Sequence, residues 1–273
     1  MIGVTVVMPR VLRATILAAL LICSAGGVFA QETTGDEAQD AAGAQANANN
    51  PLASVTAFNI QNYYTPSLSE LDDQNANTFW LRYAQPLGSW LFRASLPASR
   101  VPTVGSETTS GLGDLNLNFW WTTSLRPGTM FGVGPTLTLP TATEVETGTD
   151  KWQAGLSVLL FDSTSRRFQW GGLISWQTDV AGDDNAPDTE SPVLQPIYIV
   201  QLGKGFYTGG APIWVFNLEN NTYHVPMGLR LGYVVKDKKT VYNVFVEPQW
   251  TILDRGPAQP ELQIYAAINL QFK

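Results

Sequence analysis

Six ionisable residues stand inside segments in which apolar and polar side chains alternate. Arginine guanidinium groups bind carboxylates and phosphates through paired N–H donors, and a neighbouring carboxylate can neutralise them. Because successive residues of a strand face opposite sides, these six side chains should share the polar side of a sheet. They are Arg82, Arg93, Asp114, His224, Arg230 and Glu247.

Two pairs among these residues flank tight turns and should meet on neighbouring strands. Arg82 and Arg93 lie at similar distances from Leu87-Gly88 and are expected nearly opposite each other, as are Arg230 and Glu247 about a later turn. An ion pair between Arg230 and Glu247 is therefore predicted. The two arginines would repel each other unless an anion lies between them.

Enzymatic and metal chemistry have little support in the sequence. His224 is the only histidine, and its neighbours from Asn220 to Pro226 include no serine that it could activate. The acidic clusters at 144–150 and 183–190 lack the fixed spacing of a calcium loop. We predict no enzyme activity, no catalytic residue, no cofactor and no metal.

The N-terminal region predicts export. Arg10 and Arg13 precede an apolar run and small residues ending at Ala30, a pattern typical of a cleaved signal peptide over residues 1–30. It contains Cys23, the only cysteine, so the mature chain has no thiolate and no cysteine metal ligand. Residues 31–50 are rich in alanine, amides and acidic residues and predict a disordered acidic leader. The mature chain has 14 basic and 23 acidic residues, a formal charge of −9, which disfavours nucleic-acid binding.

Residues 51–273 predict a single all-β domain with an even number of strands. The last segment alternates apolar and polar residues up to Phe272, as a half-buried strand does. The alternating segments are 53–64, 78–85, 89–96, 111–123, 129–139, 151–161, 167–179, 193–202, 206–218, 222–235, 239–252 and 261–272. Twelve strands of this length match a closed transmembrane antiparallel β-barrel of the up-and-down type. The first and ninth segments alternate poorly, so their facing is left open.

Turn lengths and aromatic positions support the barrel prediction. Tight turns and longer polar loops follow one another along the chain, so the tight turns fall at one end. The outward parity places Trp90 and Trp121 near the tight turns, and Trp152 and Trp176 near the long loops. Two aromatic belts are typical of a protein that spans a bilayer.

Several stretches resemble a family of Gram-negative outer-membrane barrels that carry the labels transporter and MetA-pathway of phenol degradation. The resemblance spans most of the mature chain. It rests on residues 111–114 (GLGD), 132–135 (GVGP), 139–143 (LPTAT), 151–152 (KW), 181–184 (AGDD), 194–196 (LQP), 225–228 (VPMG) and the terminal Phe272-Lys273. It implies a twelve-stranded outer-membrane barrel and says less about the solute.

The inward charges allow two interpretations. In one, Asp114 or Glu247 neutralises the arginines and the network braces the interior, which is favoured because Trp80 and Trp120 also occupy a narrow lumen. In the other, the arginines form a positive constriction that selects anionic or polar solutes.

We expect a passive outer-membrane channel for small solutes, including aromatic or hydrophobic compounds. The alternative is a closed structural or adhesive barrel without a transport role. The expected partners are the lipid bilayer, lipopolysaccharide, small-molecule solutes and the export and barrel-assembly machinery, with no nucleic acid.

Overall fold

A computed structural model describes residues 43, 45, 47–71, 73–103 and 107–272. The predicted signal peptide lies outside these residues, so its boundary stays a prediction. Among the described residues, no helix has the length and apolar composition needed to cross a membrane.

The described chain is built from fifteen β-strands. Their bounds are β1 Thr56–Leu68, β2 Ala76–Leu87, β3 Trp90–Pro102, β4 Thr108–Leu112, β5 Leu115–Arg126, β6 Thr129–Leu139, β7 Lys151–Asp162, β8 Phe168–Gly182, β9 Glu190–Gly203, β10 Phe206–Gly210, β11 Trp214–Asn217, β12 Thr222–Gly228, β13 Arg230–Asp237, β14 Thr240–Arg255 and β15 Pro260–Phe272.

These strands close into a barrel with twelve wall positions. Each strand pairs antiparallel with its neighbours, and the ring closes where β1 pairs with β15 from Thr56↔Phe272 onwards. Three wall positions each consist of two strands: β4 with β5, β10 with β11, and β12 with β13. The predicted twelve-stranded antiparallel barrel is confirmed, and the three interruptions are the difference between prediction and structure.

The largest interruption separates β10 from β11. Pro212 lies within it and has no N–H to donate to a neighbouring strand. Side-chain hydrogen bonds join the wall there instead: Gln195 Nε2 of β9 donates to the carbonyl of Ala211 at 2.9 Å, and Trp214 Nε1 at the start of β11 donates to the carbonyl of Pro226 in β12 at 2.9 Å. The wall therefore stays joined where its ladder is broken.

The two faces of the wall divide apolar from polar residues in the sense expected for a membrane barrel. The exposed large hydrophobic residues lie on the outer face and include Trp90, Trp121, Trp152 and Trp176. Buried polar residues such as Gln153 lie on the inner face. This arrangement is the reverse of a soluble protein and fits an outer surface covered by lipid.

Aromatic rings and an ion pair fill one side of the lumen. Tyr63 of β1 stacks on Tyr265 of β15 with ring centroids 4.1 Å apart, and Phe245 of β14 meets Tyr265 edge-on at 4.9 Å. The guanidinium carbon of Arg230 lies 3.7 Å from the Phe245 ring centroid. The side of the interior formed by β13–β15 and β1 is therefore packed.

Residues 47–55, which precede β1, lie inside the lumen at the end of the tight turns; we call them the inner plug. Leu52 is 1 % exposed, and a Cβ built on Gly132 would meet its Cδ2 at 2.8 Å, so the glycine leaves room for the leucine. Asn243 Nδ2 donates to the carbonyl of Ala48 at 3.1 Å, and Gln271 Nε2 donates to the same carbonyl at 3.3 Å. The last residues of the predicted leader, 47–50, therefore belong to the barrel interior.

Candidate permeation site in the lumen

A cavity of about 560 Å³ occupies the lumen at the end of the long loops. Its floor and sides come from inward residues of β2, β3 and β5–β9. Hydrogen-bonded side chains form part of the wall: Asn116 Nδ2 donates to Thr138 Oγ1 at 3.0 Å, and Thr138 Oγ1 donates to Gln177 Oε1 at 3.0 Å. Trp80, Pro97 and other apolar residues complete it. This outer cavity can contact both polar and apolar parts of a solute.

A second, smaller cavity of about 150 Å³ lies towards the tight turns and is bounded by the inner plug. Arg82, Arg93 and Gln195 line both cavities. These three side chains therefore lie between the outer and the inner cavity, at a level we call the waist.

The two arginines at the waist are diagonal neighbours on adjacent strands. Arg82 pairs with Ser95 and Arg93 pairs with Ala84, so the two arginines, which the sequence predicts nearly opposite each other, stand two residues apart in register. Their guanidinium carbons lie over tryptophan rings, Arg82 at 4.8 Å from Trp80 and Arg93 at 4.5 Å from Trp120. Such contacts stabilise a guanidinium without supplying a negative charge.

The waist arginines lack the carboxylate partner that the bracing interpretation requires. The buried Nε atoms of Arg82 and Arg93 have no hydrogen-bond partner, and neither residue forms an ion pair within the described part of the chain. The expectation that Asp114 or Glu247 neutralises them is wrong, because both carboxylates are occupied elsewhere.

Glu247 forms an ion pair with Arg230. Its Oε2 accepts from Arg230 Nε at 2.7 Å and lies 2.6 Å from Nη2, so the predicted ion pair between these residues is present. Glu247 also accepts from the backbone N–H of Ala211 at 3.1 Å and from Gln249 Nε2 at 2.8 Å. A carboxylate that is 0 % exposed and bonded in this way holds the interrupted wall together and is not free to meet a solute.

Asp114 organises the loop that follows β6. Its Oδ1 accepts from the backbone N–H groups of Thr141 and Ala142, both at 3.1 Å, and its Oδ2 accepts from Thr149 N at 2.8 Å and Thr149 Oγ1 at 2.9 Å. The loop thereby folds over the mouth of the outer cavity, where residues 146–149 form part of the lining. The role of Asp114 is structural.

His224 lies apart from the waist, on β12. Its Nε2 is 2.8 Å from Thr251 Oγ1, and it lines neither of the two cavities. The structure thus gives the histidine a threonine neighbour and does not place it with the arginines.

The acidic residues of the long loops bond to their own surroundings. Lys151 Nζ lies 3.0 Å from Asp188 Oδ1 and 4.0 Å from Asp179 Oδ2. The backbone N–H and the side-chain amide of Asn185 donate to Asp183 and hold the pKa of that carboxyl below its usual range. Within the described residues, no group of three or more His, Cys, Asp or Glu side chains is arranged to hold a metal ion.

Sequence reasoning missed Gln195 and the inner plug. Gln195 follows the inward parity of β9, so the alternation itself marked it as lumenal, but an uncharged amide drew no attention beside the arginines. No local sequence pattern predicts where the inner plug lies. Its position depends on hydrogen bonds from Asn243 and Gln271, which are about 200 residues further along the chain.

The fold and its lumen define a closed antiparallel β-barrel with twelve wall positions, an apolar outer face and a polar interior. No family model matches the sequence, and no curated protein matches it. Among solved structures, the chain is similar to an outer membrane channel from Pseudomonas putida F1, with a TM-score of 0.59 and 13% identity over 81% of this chain and 97% of that one. It is also similar to the NanC porin, with a TM-score of 0.52 and 10% identity over 79% and 99% of the two chains. At these identities the likeness supports the fold alone.

Proposed function

We propose that this protein is a passive channel for small solutes in the outer membrane of a Gram-negative bacterium. The observation that carries the proposal is the pair of cavities within a closed barrel, which share Arg82, Arg93 and Gln195 at the waist. An outer surface of apolar residues supports contact with lipid, and the long polar loops support contact with lipopolysaccharide. A cleaved signal peptide over residues 1–30 and delivery by the export and barrel-assembly machinery complete the proposal.

Small aromatic compounds suit the outer cavity better than extended polar ones. Trp80, Pro97 and Leu173 provide apolar surface, and the amides and hydroxyls beside them provide orienting hydrogen bonds. The MetA-pathway resemblance is compatible with such solutes. It does not imply a reaction, because the proposed role of the lumen is to let solutes pass.

The inner plug would limit the conductance of the channel. Residues 48–51 and 53 line the inner cavity and separate it from the end of the tight turns. Three side-chain bonds from Asn243 and Gln271 to residues 48 and 49 hold the plug in place. The intact chain should therefore conduct weakly.

Planar-bilayer recording of the refolded mature chain tests the proposal. A chain that begins at residue 56, the first residue of β1, lacks the plug and should conduct more than the full mature chain. A chain that begins at residue 43 keeps the plug and serves as the matched control. Silence from both shortened chains, when each is folded and shifts in gel mobility on heating, would contradict the channel.

A closed structural or adhesive barrel is the second candidate. It is favoured by the packing of Tyr63, Phe245, Tyr265 and the Arg230–Glu247 pair, which occupy one side of the lumen. In this case the shortened chains remain silent and liposomes that contain them do not swell in small solutes.

A further inference from the structure

Two guanidinium groups without a counter-charge stand at the waist. Arg82 and Arg93 each bury an Nε–H that donates to nothing within the described residues. An unsatisfied buried donor is costly, and two like charges on adjacent strands add repulsion. An anion at this level would relieve both costs.

The carboxylates that line the lumen do not supply that anion. Glu247 and Asp114 are held by Arg230 and by the loop after β6, as described above. Glu146 also lines the outer cavity, but it is an exposed residue of the loop at the mouth, far along the lumen from the waist. The inner cavity contributes a further positive group, Arg230, and no carboxylate to its lining. Since no carboxylate of the described residues reaches the waist, a negative charge there would come with a solute.

The surroundings of the arginines specify what that solute carries besides its charge. The guanidinium carbon of Arg82 lies 4.8 Å from the ring centroid of Trp80, which also lines the outer cavity. Planar guanidinium groups bind carboxylates with two parallel hydrogen bonds. A volume of about 560 Å³ accommodates a small ring beside the tryptophan.

We propose that Arg82 and Arg93 form a binding subsite for the carboxylate of a small aromatic acid, whose ring occupies the outer cavity beside Trp80. This inference rests on the proposed function and adds the class of solute that the channel accepts. It requires that solutes enter the lumen from the mouth and does not require that they pass the inner plug.

Titration calorimetry on the refolded full mature chain in detergent tests the subsite with three probes. Benzoate carries both charge and ring, benzamide keeps the ring without the charge, and acetate keeps the charge without the ring. Benzoate should bind about tenfold more tightly than benzamide, since a hydrogen bond to a charged group is worth about one order of magnitude or more in affinity. It should also bind about tenfold more tightly than acetate, since burial of the ring beside Trp80 adds a gain that acetate lacks.

Two substitutions locate the binding. Arg93→Gln and Arg82→Gln should each weaken benzoate binding about tenfold and leave benzamide unchanged. Arg100→Gln is the matched control, because Arg100 lies on the same strand β3, lines neither cavity and bonds to Asn75 at 3.1 Å. The heat-dependent gel shift confirms that each variant is folded, and competition between benzoate and chloride on the unsubstituted protein gives a readout that needs no variant.

Several results would overturn the subsite. If benzamide binds as tightly as benzoate, the negative charge does not contribute to the affinity. If acetate binds as tightly as benzoate, the ring does not contribute. Benzoate binding that survives both waist substitutions would place the anion elsewhere. The bilayer recording keeps the two proposals apart: benzoate binding by a silent barrel retains the subsite and removes the channel, whereas conductance without benzoate binding does the opposite.

Discussion

Replacing Glu247 by glutamine should destabilise the barrel more than any comparable exchange of an exposed carboxylate. The side chain is 0 % exposed and accepts hydrogen bonds from Arg230, Gln249 and the backbone of Ala211. Glutamine has nearly the same shape, but it removes the charge and leaves the Arg230 guanidinium unpaired. Breaking a buried ion pair by removing one partner costs about 3–5 kcal/mol.

The Glu247→Gln substitution also affects the barrel wall between β10 and β11. The amide of glutamine can present one oxygen, so it cannot satisfy both Arg230 and the N–H of Ala211 as the carboxylate does. Ala211 is located where β10 ends and β11 has not begun, and no strand ladder replaces the lost bond. We therefore expect the free energy of unfolding to fall by about 4 kcal/mol.

Urea titration of the protein in lipid vesicles, followed by tryptophan fluorescence, measures this difference. Glu261→Gln is the matched control, because Glu261 is exposed at the long-loop end of β15 and should change stability by less than about 0.5 kcal/mol. Combining Arg230→Met with Glu247→Leu should recover the part of the loss that comes from the unpaired guanidinium, since an apolar pair leaves no buried charge, while the N–H of Ala211 stays without its acceptor. A loss below about 1 kcal/mol for Glu247→Gln would refute the reasoning and indicate that water solvates Arg230 in the lumen.

Two further predictions concern the outer face and the mouth. Leu156→Arg should lower the free energy of unfolding in vesicles by about 2–4 kcal/mol, because Leu156 is 60 % exposed in the middle of β7 and faces lipid. A change near zero would mean that this face is not in the bilayer. Asp114→Asn should speed proteolytic cleavage in the loop between β6 and β7, because one amide oxygen cannot accept all four bonds that the carboxylate accepts; an unchanged cleavage rate would show that the loop is ordered without Asp114.

Much of the fold could be predicted because strand alternation has a period of two and is set locally. The bounds of β6, Thr129–Leu139, coincide with the predicted segment, and the outward tryptophans follow from parity alone. The interruptions at Pro212 and between β12 and β13 could not be located, because alternation continues in the sequence on both sides of a local break in the ladder.

The arrangement of charges could be predicted only where it depends on register. Arg230 and Glu247 stand one residue beyond the Leu231↔Val246 pair of the β13–β14 hairpin, so their ion pair follows from the register. The isolation of Arg82 and Arg93 depends on which partner each carboxylate takes, and Asp114 is taken by a loop that folds back about 30 residues later. The inner plug could not be predicted either, because its partners Asn243 and Gln271 are also distant in the sequence.

The packed side of the lumen makes the open space eccentric. The outer cavity touches β2, β3 and β5–β9, whereas the rings and the ion pair on the opposite side belong to β1 and β13–β15. A solute in the outer cavity would meet one half of the circumference, and it would meet the other half, which includes the seam between first and last strand, only in the inner cavity, where Arg230, Phe245 and Tyr265 form part of the lining. Mutation could therefore change the lining of the outer cavity without altering the strands β1 and β15 that close the barrel.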